Sequence, residues 1–448
     1  MSRQTLVTRR FGQDTVSATH GFPCKSLLMA GVLMSTLAAC AGGGHGPGTS
    51  HAGRNVGVLL PLTGNNARLG QEMLSAARMA MNTPGAPTLD IHDTAAPGGA
   101  TAAAQAAVKA KDGIILGPLT AGDATQAATV TAQTDLPMLA FTSDVSVARP
   151  DVWILGIAPE QQVRRMVGAA IKENRQHFAA FLPDNALGHA MGSALQQSCS
   201  EHGLSSPQIV YHGATATEIT EQLKTFSAYE SRAATAATQA AATAAQEAAP
   251  AGVDPANPDS PAAPETAASP APATSAPEEA HLPPPPFDAL LLADTGLQLG
   301  HVIAAMRTAQ ISPTETRIMG PGLWGAFAGK LAQLQNAWYA APDPASRQHF
   351  VQLFMAQYHH MPTPLADLSY DAAALVKALD QAPRAPGAKN GYSVTALTRP
   401  EGFSGVDGVF GFTGNGRTRR DLAIFQILPE GGSRIVQAPS GRLQNGTN

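Results

Sequence analysis

The chain has 448 residues, 44% of them hydrophobic, which is enough to build the cores of two or three domains. Its formal net charge of -4 gives no basic field of the kind that draws proteins onto nucleic acids, so we expect no nucleic-acid partner. The three cysteines, Cys24, Cys40 and Cys199, are too few for a disulfide framework.

Residues 1–39 have the pattern of a signal peptide. Basic residues precede the apolar run 26–39, which is too short to span a bilayer. The run ends in Leu37-Ala38-Ala39-Cys40, which resembles the lipobox of bacterial lipoproteins and implies cleavage before Cys40 and acylation of this residue. The alternative is an ordinary secretory cleavage with Cys40 incidental. Residues 40–54 are glycine-rich and would form the lipidated tether.

From residue 55 the chain alternates short apolar runs with Ala-rich amphipathic segments, which predicts βαβ units around a parallel sheet. A first lobe is predicted over 55–156. Its expected strands are 55–60, 89–92, 113–116, 138–141 and 152–156, and its expected helices are 67–82, 101–111 and 121–133.

The same alternation predicts a second lobe over 157–336. Its expected helices are 161–174, 187–201 and 297–309, and its expected strands are 178–182, 208–212, 288–292 and 317–319. Cys199 falls in one of these helices, where we interpret it as a small buried residue without chemistry.

A low-complexity insertion, residues 233–286, interrupts the second lobe. It contains no Lys or Arg, and its only large apolar residues are Val253 and Leu282. Such a segment buries too little surface to offset its ordering entropy, so disorder is expected, with a partner-binding role as the alternative. Its Ala-rich first half is expected to extend the preceding helix.

The last part of the chain is expected to return to the first lobe. A strand at 337–340 and helices at 345–359 and 365–379 are predicted, followed by a Gly-rich β section at 402–429. We assign residues 337–400 mainly to the first lobe, 401–438 to a hinge and terminal β section, and 439–448 to a tail.

Several motifs, taken in order, resemble the type I periplasmic binding proteins of the leucine/isoleucine/valine class. They are Val56-Gly57-Val58-Leu59-Leu60-Pro61-Leu62-Thr63-Gly64, Leu69-Gly70, Gly117-Pro118-Leu119-Thr120, Tyr370-Asp371-Ala372-Ala373 and Phe403-Ser404-Gly405-Val406-Asp407-Gly408 with 410–416 behind it. The resemblance covers nearly all of residues 55–438. It implies an α/β fold of two Rossmann-like lobes with parallel sheets, joined by a three-strand hinge, with ligand held in the cleft between them. The crossings are expected near 152–159, near 337–342 and in the terminal section.

Loops that follow parallel strands direct helix N-termini and free N–H groups into one crevice, which suits the carboxylate of a small solute. For each such residue, a role as a helix cap or turn former is the open alternative. By position, the cleft candidates are Thr63, Gly64, Thr120, Thr142 and Ser143 in the first lobe, and Asp184, Asn185 and Asp294 in the second, where they would hold an ammonium group or face water.

The amino-acid receptors of this superfamily commonly carry a tyrosine after the first strand of the second lobe, whereas this chain has Asp184-Asn185 there. The opening passage and the lipobox look closer to the penicillin-binding protein activators. That branch implies an envelope adaptor for a peptidoglycan synthase, although the helical-repeat domain of some activators is missing. The alternative is a periplasmic receptor that delivers an amino-acid-like solute to an ABC transporter. Ala41 after Cys40 favours the inner face of the outer membrane over inner-membrane retention.

Motifs for catalysis, cofactors and metals were not found. No Gly-x-Ser-x-Gly elbow occurs, and residues 325–331 do not fit a phosphate-binding loop. His359 and His360 would diverge on a helix, so they do not predict a metal site. The scattered acids Asp90, Asp93 and Asp123 are interpreted as solvated surface. We therefore expect a protein that is not an enzyme and has no cofactor or metal.

Overall fold

The computed structural model describes residues 53–247, 281–384 and 390–443. The predicted signal peptide, Cys40, most of the tether and residues 248–280 of the predicted insertion lie outside the described residues, as do residues 444–448. Among the helices of the described part, none combines the length and the apolar character that a membrane crossing requires.

Lobe I is built on a five-stranded parallel sheet with the order β2-β1-β3-β4-β5. Its central strands are buried on both faces, which is why they read as continuous apolar runs in the sequence. The strands are β1 (Val56–Leu60), β2 (Leu89–Asp93), β3 (Ile114–Leu116), β4 (Met138–Ala140) and β5 (Val152–Ile154).

The helices of lobe I bury one alanine- and methionine-rich face each against this sheet. In α1 the buried face includes Met73, Ala77 and Ala80, at the spacing of a helical stripe. These helices are α1 (Ala67–Met81), α2 (Gly99–Ala110) and α3 (Ala121–Thr131), and a 3₁₀ turn follows at Val145–Val147.

Lobe II contains a seven-stranded sheet with the order β15-β14-β10-β9-β8-β6-β7. Five of its strands pair in parallel, whereas β14 pairs antiparallel with β10 and β15 antiparallel with β14, so this sheet is mixed. The strands are β6 (Phe178–Pro183), β7 (Gln208–His212), β8 (Ala289–Leu292), β9 (Arg317–Gly320), β10 (Trp338–Ala341), β14 (Ala423–Ile427) and β15 (Ser433–Gln437).

Five helices cover lobe II, together with two 3₁₀ segments at Gly322–Lys330 and Ala332–Leu334. The helices are α4 (Pro159–Lys172), α5 (Ala186–Glu201), α6 (Ala216–Phe226), α7 (Tyr229–Glu247) and α8 (Gly296–Thr308). Helix α7 confirms that the Ala-rich start of the insertion is helical as far as Glu247. Cys199 is fully buried in α5, and burial raises the pKa of its thiol to about 11.

The chain returns to lobe I after β10. Helix α10 (Pro364–Gln381) packs beside α1, and the small sheet β11-β12-β13 contributes Phe403, Phe410 and Phe412 to the lobe I core. The other elements of this return are α9 (Pro344–Tyr358), α11 (Val394–Leu397), β11 (Phe403–Gly405), β12 (Gly408–Phe412) and β13 (Thr418–Arg420). The chain thus passes between the lobes after β5, after β10 and after β13, which agrees with the expected three-strand hinge.

Two of the motif segments are joined by a buried carboxylate. Oδ1 of Asp371, in α10, accepts a 2.6 Å hydrogen bond from the backbone N–H of Val406. A Cβ atom on Gly405 would lie 2.3 Å from Asp371 Oδ2, so only glycine allows this approach. The aspartate and the glycine together fasten the terminal β section to lobe I.

Candidate functional site

The loop after β1 is held by a carboxylate of the chain itself. Asp93, the last residue of β2, accepts hydrogen bonds from the backbone N–H groups of Leu62 (2.8 Å) and Ala95 (2.9 Å), and from the hydroxyl of Thr63 (2.6 Å). Burial raises the pKa of Asp93, but these hydrogen bonds outweigh burial and hold it below its ordinary value. Gly64 follows with a φ of +72°, a conformation that favours glycine. The predicted residues Thr63 and Gly64 therefore form one loop, and its donors already bind an anion.

The hydroxyl candidates after β3 and β4 accept hydrogen bonds from nearby backbone N–H groups. Thr120 Oγ1 accepts a hydrogen bond from Asp123 N (3.1 Å) at the start of α3, and Thr142 Oγ1 accepts one from Asp144 N (3.1 Å). Ser143 is exposed beside Thr142. In both threonines the hydroxyl oxygen accepts, so its hydrogen is left to donate to another group.

In lobe II, the candidates after β6 are exposed and locally paired. Asn185 caps α5 by accepting a hydrogen bond from Gly188 N (2.9 Å), and Asp184 Oδ1 lies 2.8 Å from His189 Nε2. A role as a helix cap was the alternative to ligand binding that the sequence left open for Asn185. Among the hydrogen bonds of the described residues, none joins a lobe I candidate to a lobe II candidate.

The last candidate, Asp294 after β8, forms a buried pair with a histidine. Asp294 Oδ2 lies 3.2 Å from His212 Nε2 at the end of β7, and both side chains are fully buried. His212 Nδ1 lies 2.9 Å from the carbonyl oxygen of Gly213, which can only accept. Since the other ring nitrogen faces a carboxylate, the geometry favours an imidazolium. Burial lowers the pKa of His212, but the bonds to Asp294 and Gly213 outweigh this effect and raise it.

This pair predicts a pH dependence of stability. Because the folded-state pKa of His212 is raised, its contribution is complete below the unfolded-state pKa of about 6.5 and is lost as pH rises through the folded-state pKa. As the pH rises from the unfolded-state pKa through the folded-state pKa, we expect the free energy of unfolding to fall more steeply in the wild type than in the His212→Gln variant. Urea unfolding between mildly acidic and alkaline pH measures both slopes, and parallel slopes would contradict the assignment.

Carboxylates dominate the loops at the carboxyl ends of the strands. Asp93, Asp123, Asp144 and Asp184 lie at or just after β2, β3, β4 and β6, respectively. Asp144 also accepts a hydrogen bond from Ser146 N (2.9 Å), and Asp123 lies in the first turn of α3. These negative charges oppose the entry of a free carboxylate and favour a partner that offers cationic groups.

Large apolar side chains are also exposed at the carboxyl end of the lobe II sheet. Leu297 lies in the first turn of α8, which follows β8, and is 80% exposed; Leu323 lies in the 3₁₀ segment that follows β9 and is 58% exposed. Since β8 and β9 are neighbours in the sheet, the two leucines follow adjacent strands. We call Leu297 and Leu323 the leucine edge.

Sequence reasoning missed the binding roles of Asp93 and His212 and the leucine edge. Asp93 follows the predicted strand 89–92 and His212 ends the predicted strand 208–212, so their positions at strand ends were readable. Their distant partners, in the loops after β1 and β8, were not. Among the described residues, one group of side chains has the spacing of a metal site, namely Asp90, His92 and Asp112, whose ligand atoms all lie within 4.8 Å of one another.

Comparisons with known proteins agree with this fold. The model of the periplasmic binding protein family matches residues 54–277, half of the chain, and confirms the resemblance seen in the sequence. No curated protein matches the chain. The C-domain of LpoA (YraM) from Haemophilus influenzae, described as a regulator of PBP1A, is 16% identical with a TM-score of 0.56, over 85% of this chain and 99% of that domain. This chain spans 59% of the full-length LpoA structure.

Transport proteins share the same architecture. A putative branched-chain amino acid ABC transporter from Rhodospirillum rubrum is 16% identical with a TM-score of 0.57, over 85% of this chain and 99% of that one. An ABC transporter substrate-binding protein from Desulfitobacterium hafniense, in complex with Leu, is 15% identical with a TM-score of 0.52, over 85% and 99% of the two chains. At such identities the likeness shows the fold alone.

Proposed function

Because this chain belongs to the periplasmic binding protein family, we propose that it is a non-catalytic binding protein that acts as an envelope adaptor for a peptidoglycan synthase. The likeness to the LpoA C-domain, described as a regulator of PBP1A, supports this role. In this proposal Cys40 carries the lipid anchor, the folded part lies in the periplasm at the inner face of the outer membrane, and no cofactor takes part.

The observation that carries the proposal is the state of the loop after β1. The N–H group of Leu62 and the hydroxyl of Thr63 donate to Asp93, so they are not free to bind the carboxylate of a solute. The further carboxylates at the strand ends add repulsion against such a ligand. A cleft of this kind is better suited to a protein surface with basic and apolar groups.

The leucine edge supplies apolar contact area for such a surface. Exposed leucines after adjacent strands are typical of interaction sites when they lie among polar groups. Asp184, which follows β6 in the same sheet, would add a charged rim. The proposed partner therefore carries an apolar patch bordered by lysine or arginine.

The domain limits expected from the sequence are part of the proposal. We propose lobe I over 55–156 with a return at 337–400, lobe II over 157–336 with an insertion at 233–286, and the hinge and terminal β section over 401–438. The helix α7 leads into this insertion from lobe II. Its role in contacting a partner remains part of the proposal.

A solute receptor for an amino-acid-like ligand, feeding an ABC transporter, is the second candidate. Thr120 and Thr142 favour it, because each accepts a hydrogen bond from a backbone N–H and can still donate its own hydrogen to a ligand. The Leu-bound relative from Desulfitobacterium hafniense shares the fold. In this reading, the leucine edge would contact the side chain of the ligand.

We expect the purified chain to bind a PBP1A-type peptidoglycan synthase and to raise its rate of glycan synthesis. The double variant Leu297→Asp, Leu323→Asp should weaken binding roughly tenfold or more, because charged side chains would replace the apolar contact. Leu353→Asp is the matched control, since Leu353 is exposed to 42% on α9 of lobe I, away from the leucine edge. Surface plasmon resonance measures the affinity of the synthase for the wild type, the double variant and the control.

Equal affinity of the double variant and the wild type would remove the leucine edge from the interface, and absence of binding to the synthase would overturn the adaptor role. Thermal unfolding with leucine and related amino acids tests the receptor in parallel, because a ligand that binds only the folded state raises the midpoint. A rise that disappears in Thr120→Ala, Thr142→Ala would establish the receptor instead.

A further inference from the structure

A fully buried carboxyl group of lobe I, that of Asp112, lies close to the partly exposed carboxyl group of Asp90. Both carboxylate oxygens of Asp112, just before β3, are buried and make no hydrogen bond, and the residue is fully inaccessible to solvent. Asp90 on β2 is close enough to Asp112 to affect the ionisation of its carboxyl group. Among the ion pairs of the described residues, no lysine or arginine reaches either group. Two acceptors in this position require a cation or a proton between them.

A glycine makes the approach possible. Strand β1 lies between β2 and β3, and its residue Gly57 pairs with Asp90 on one side and with Ile115 on the other. A Cβ atom at Gly57 would lie 2.9 Å from Asp112 Oδ2 and 3.1 Å from Ala107 Cβ. The missing side chain therefore leaves room for the carboxyl group of Asp112 above β1.

His92 completes the group. It lies two residues after Asp90, so the alternation of a strand places both side chains on the same face of β2. Its Nε2 is buried and makes no hydrogen bond, although it lies 3.1 Å from Asp90 Oδ2. The ring nitrogen and the carboxylate are thus close together without a hydrogen bond between them, an arrangement that leaves both able to face a third atom.

We propose that Asp90, His92 and Asp112 bind one divalent transition-metal ion, with Zn²⁺ as the preferred cation. Two carboxylates and one imidazole, with a water in the fourth position, form a set that zinc accepts and that magnesium and calcium do not prefer, since these ions favour oxygen ligands alone. The three ligand atoms lie within 4.8 Å of one another, and zinc bonds of about 2.0–2.2 Å would draw them together to roughly 3.4 Å.

The surroundings of Asp112 also favour a cation. Asp112 follows the last turn of α2, and its backbone N–H bonds the carbonyl oxygen of Ala107 (3.1 Å), so its side chain lies at the negative end of the helix dipole. Burial, together with Asp90, raises the pKa of Asp112 to about 7, so a proton is the competitor of the metal near neutral pH. The site is independent of the adaptor role, because Asp112 precedes its strand instead of following it into the cleft loops.

The experiment uses the purified full chain without a polyhistidine tag, stripped with a chelator and dialysed. Isothermal titration at mildly alkaline pH with Zn²⁺, and separately with Mg²⁺, gives stoichiometry and affinity. We expect one Zn²⁺ per chain and no uptake of Mg²⁺. Asp112→Asn and His92→Gln should each weaken Zn²⁺ binding by at least roughly tenfold. His281→Gln, which removes a histidine from the exposed pair with Glu315, should bind like the wild type.

Thermal unfolding of the same proteins separates loss of a ligand from loss of the fold. Asp112→Asn removes a buried carboxyl group that has no donor, so its metal-free midpoint should equal or exceed that of the wild type, while the rise produced by Zn²⁺ should disappear. Zn²⁺ uptake that survives in Asp112→Asn, or the absence of one-to-one uptake by the wild type, would overturn the metal site and leave a carboxyl pair bridged by a proton.

Discussion

Replacing Gly117 by alanine is expected to destabilise lobe I by about 3–5 kcal/mol, since a strained backbone and an overpacked contact add together. Gly117 follows β3 with a φ of +101°, a conformation that L-residues with side chains rarely adopt. A Cβ atom there would lie 2.1 Å from the carbonyl oxygen of Leu59 on the neighbouring strand β1. Backbone cannot move aside as a side chain can, so β3 would have to separate from β1.

Gly122→Ala is the matched control for this substitution. Gly122 lies in the first turn of α3, with no atom within 4 Å of the place where an added methyl group would lie and no positive φ. Alanine there should be neutral or stabilise by up to about 1 kcal/mol, because it reduces the entropy of the unfolded chain. Urea unfolding of the two variants gives the comparison, and equal stabilities would contradict the close approach of β1 and β3.

Arg347→Met is expected to lower the free energy of unfolding by about 3 kcal/mol, as for other buried ion pairs that lose one partner. Arg347, in α9, donates to the fully buried Asp367 through Nε and through Nη2 (3.0 Å), and Nη2 also donates to the carbonyl oxygen of Pro362 (2.9 Å). Burial raises the pKa of Asp367 to about 7 even beside this guanidinium. Without Arg347 the ionised carboxylate would be unpaired, so the loss should be larger at pH 8 than at pH 6.

Two further variants show whether loss of the ion pair causes the change in stability. The double variant Arg347→Met, Asp367→Leu removes both charges and should recover much of the lost stability. Glu221→Gln breaks the exposed pair with Lys224 and should change stability by less than about 1 kcal/mol. If the double variant were less stable than Arg347→Met alone, the ion pair would not be the cause of the loss.

The lobes were predictable because their parallel strands are buried on both faces and read as short apolar runs between amphipathic helices. The boundaries differ by one to a few residues, as for α4, expected at 161–174 and observed at Pro159–Lys172. Helix α6 was missed although its signals were present, since Thr215 and Glu218 form a capping box and Ile219, Leu223 and Phe226 follow a helical stripe.

The motif residues have structural explanations as well. A Cβ atom on Gly70 would lie 2.0 Å from the carbonyl oxygen of Pro61, and the same distance separates Gly188 in lobe II from that of Pro183. In each lobe, a glycine allows the helix that follows the first strand to pack onto the end of that strand. Such motifs therefore identify the fold, and they say little about which molecule the cleft holds.

The candidate site was predictable only in part. The positions of Thr120 and Asn185 at strand ends followed from the alternation, and both prove to be helix caps. The approach of Asp112 to Asp90 across Gly57 depends on the register of three strands that are far apart in sequence. No local pattern contains that register. Asp90, which the sequence predicted to be solvated surface, therefore lies instead in a partly buried cluster.

The carboxylate of Asp93 has a consequence for signalling. A receptor reports on its surroundings because its vacant and filled forms differ. In the proposed adaptor, the loop after β1 is always filled, since the anion it binds is part of the same chain and its concentration there never changes. The output of such a protein would follow its own abundance in the envelope, so control would be exerted through synthesis and export and not through nutrient supply.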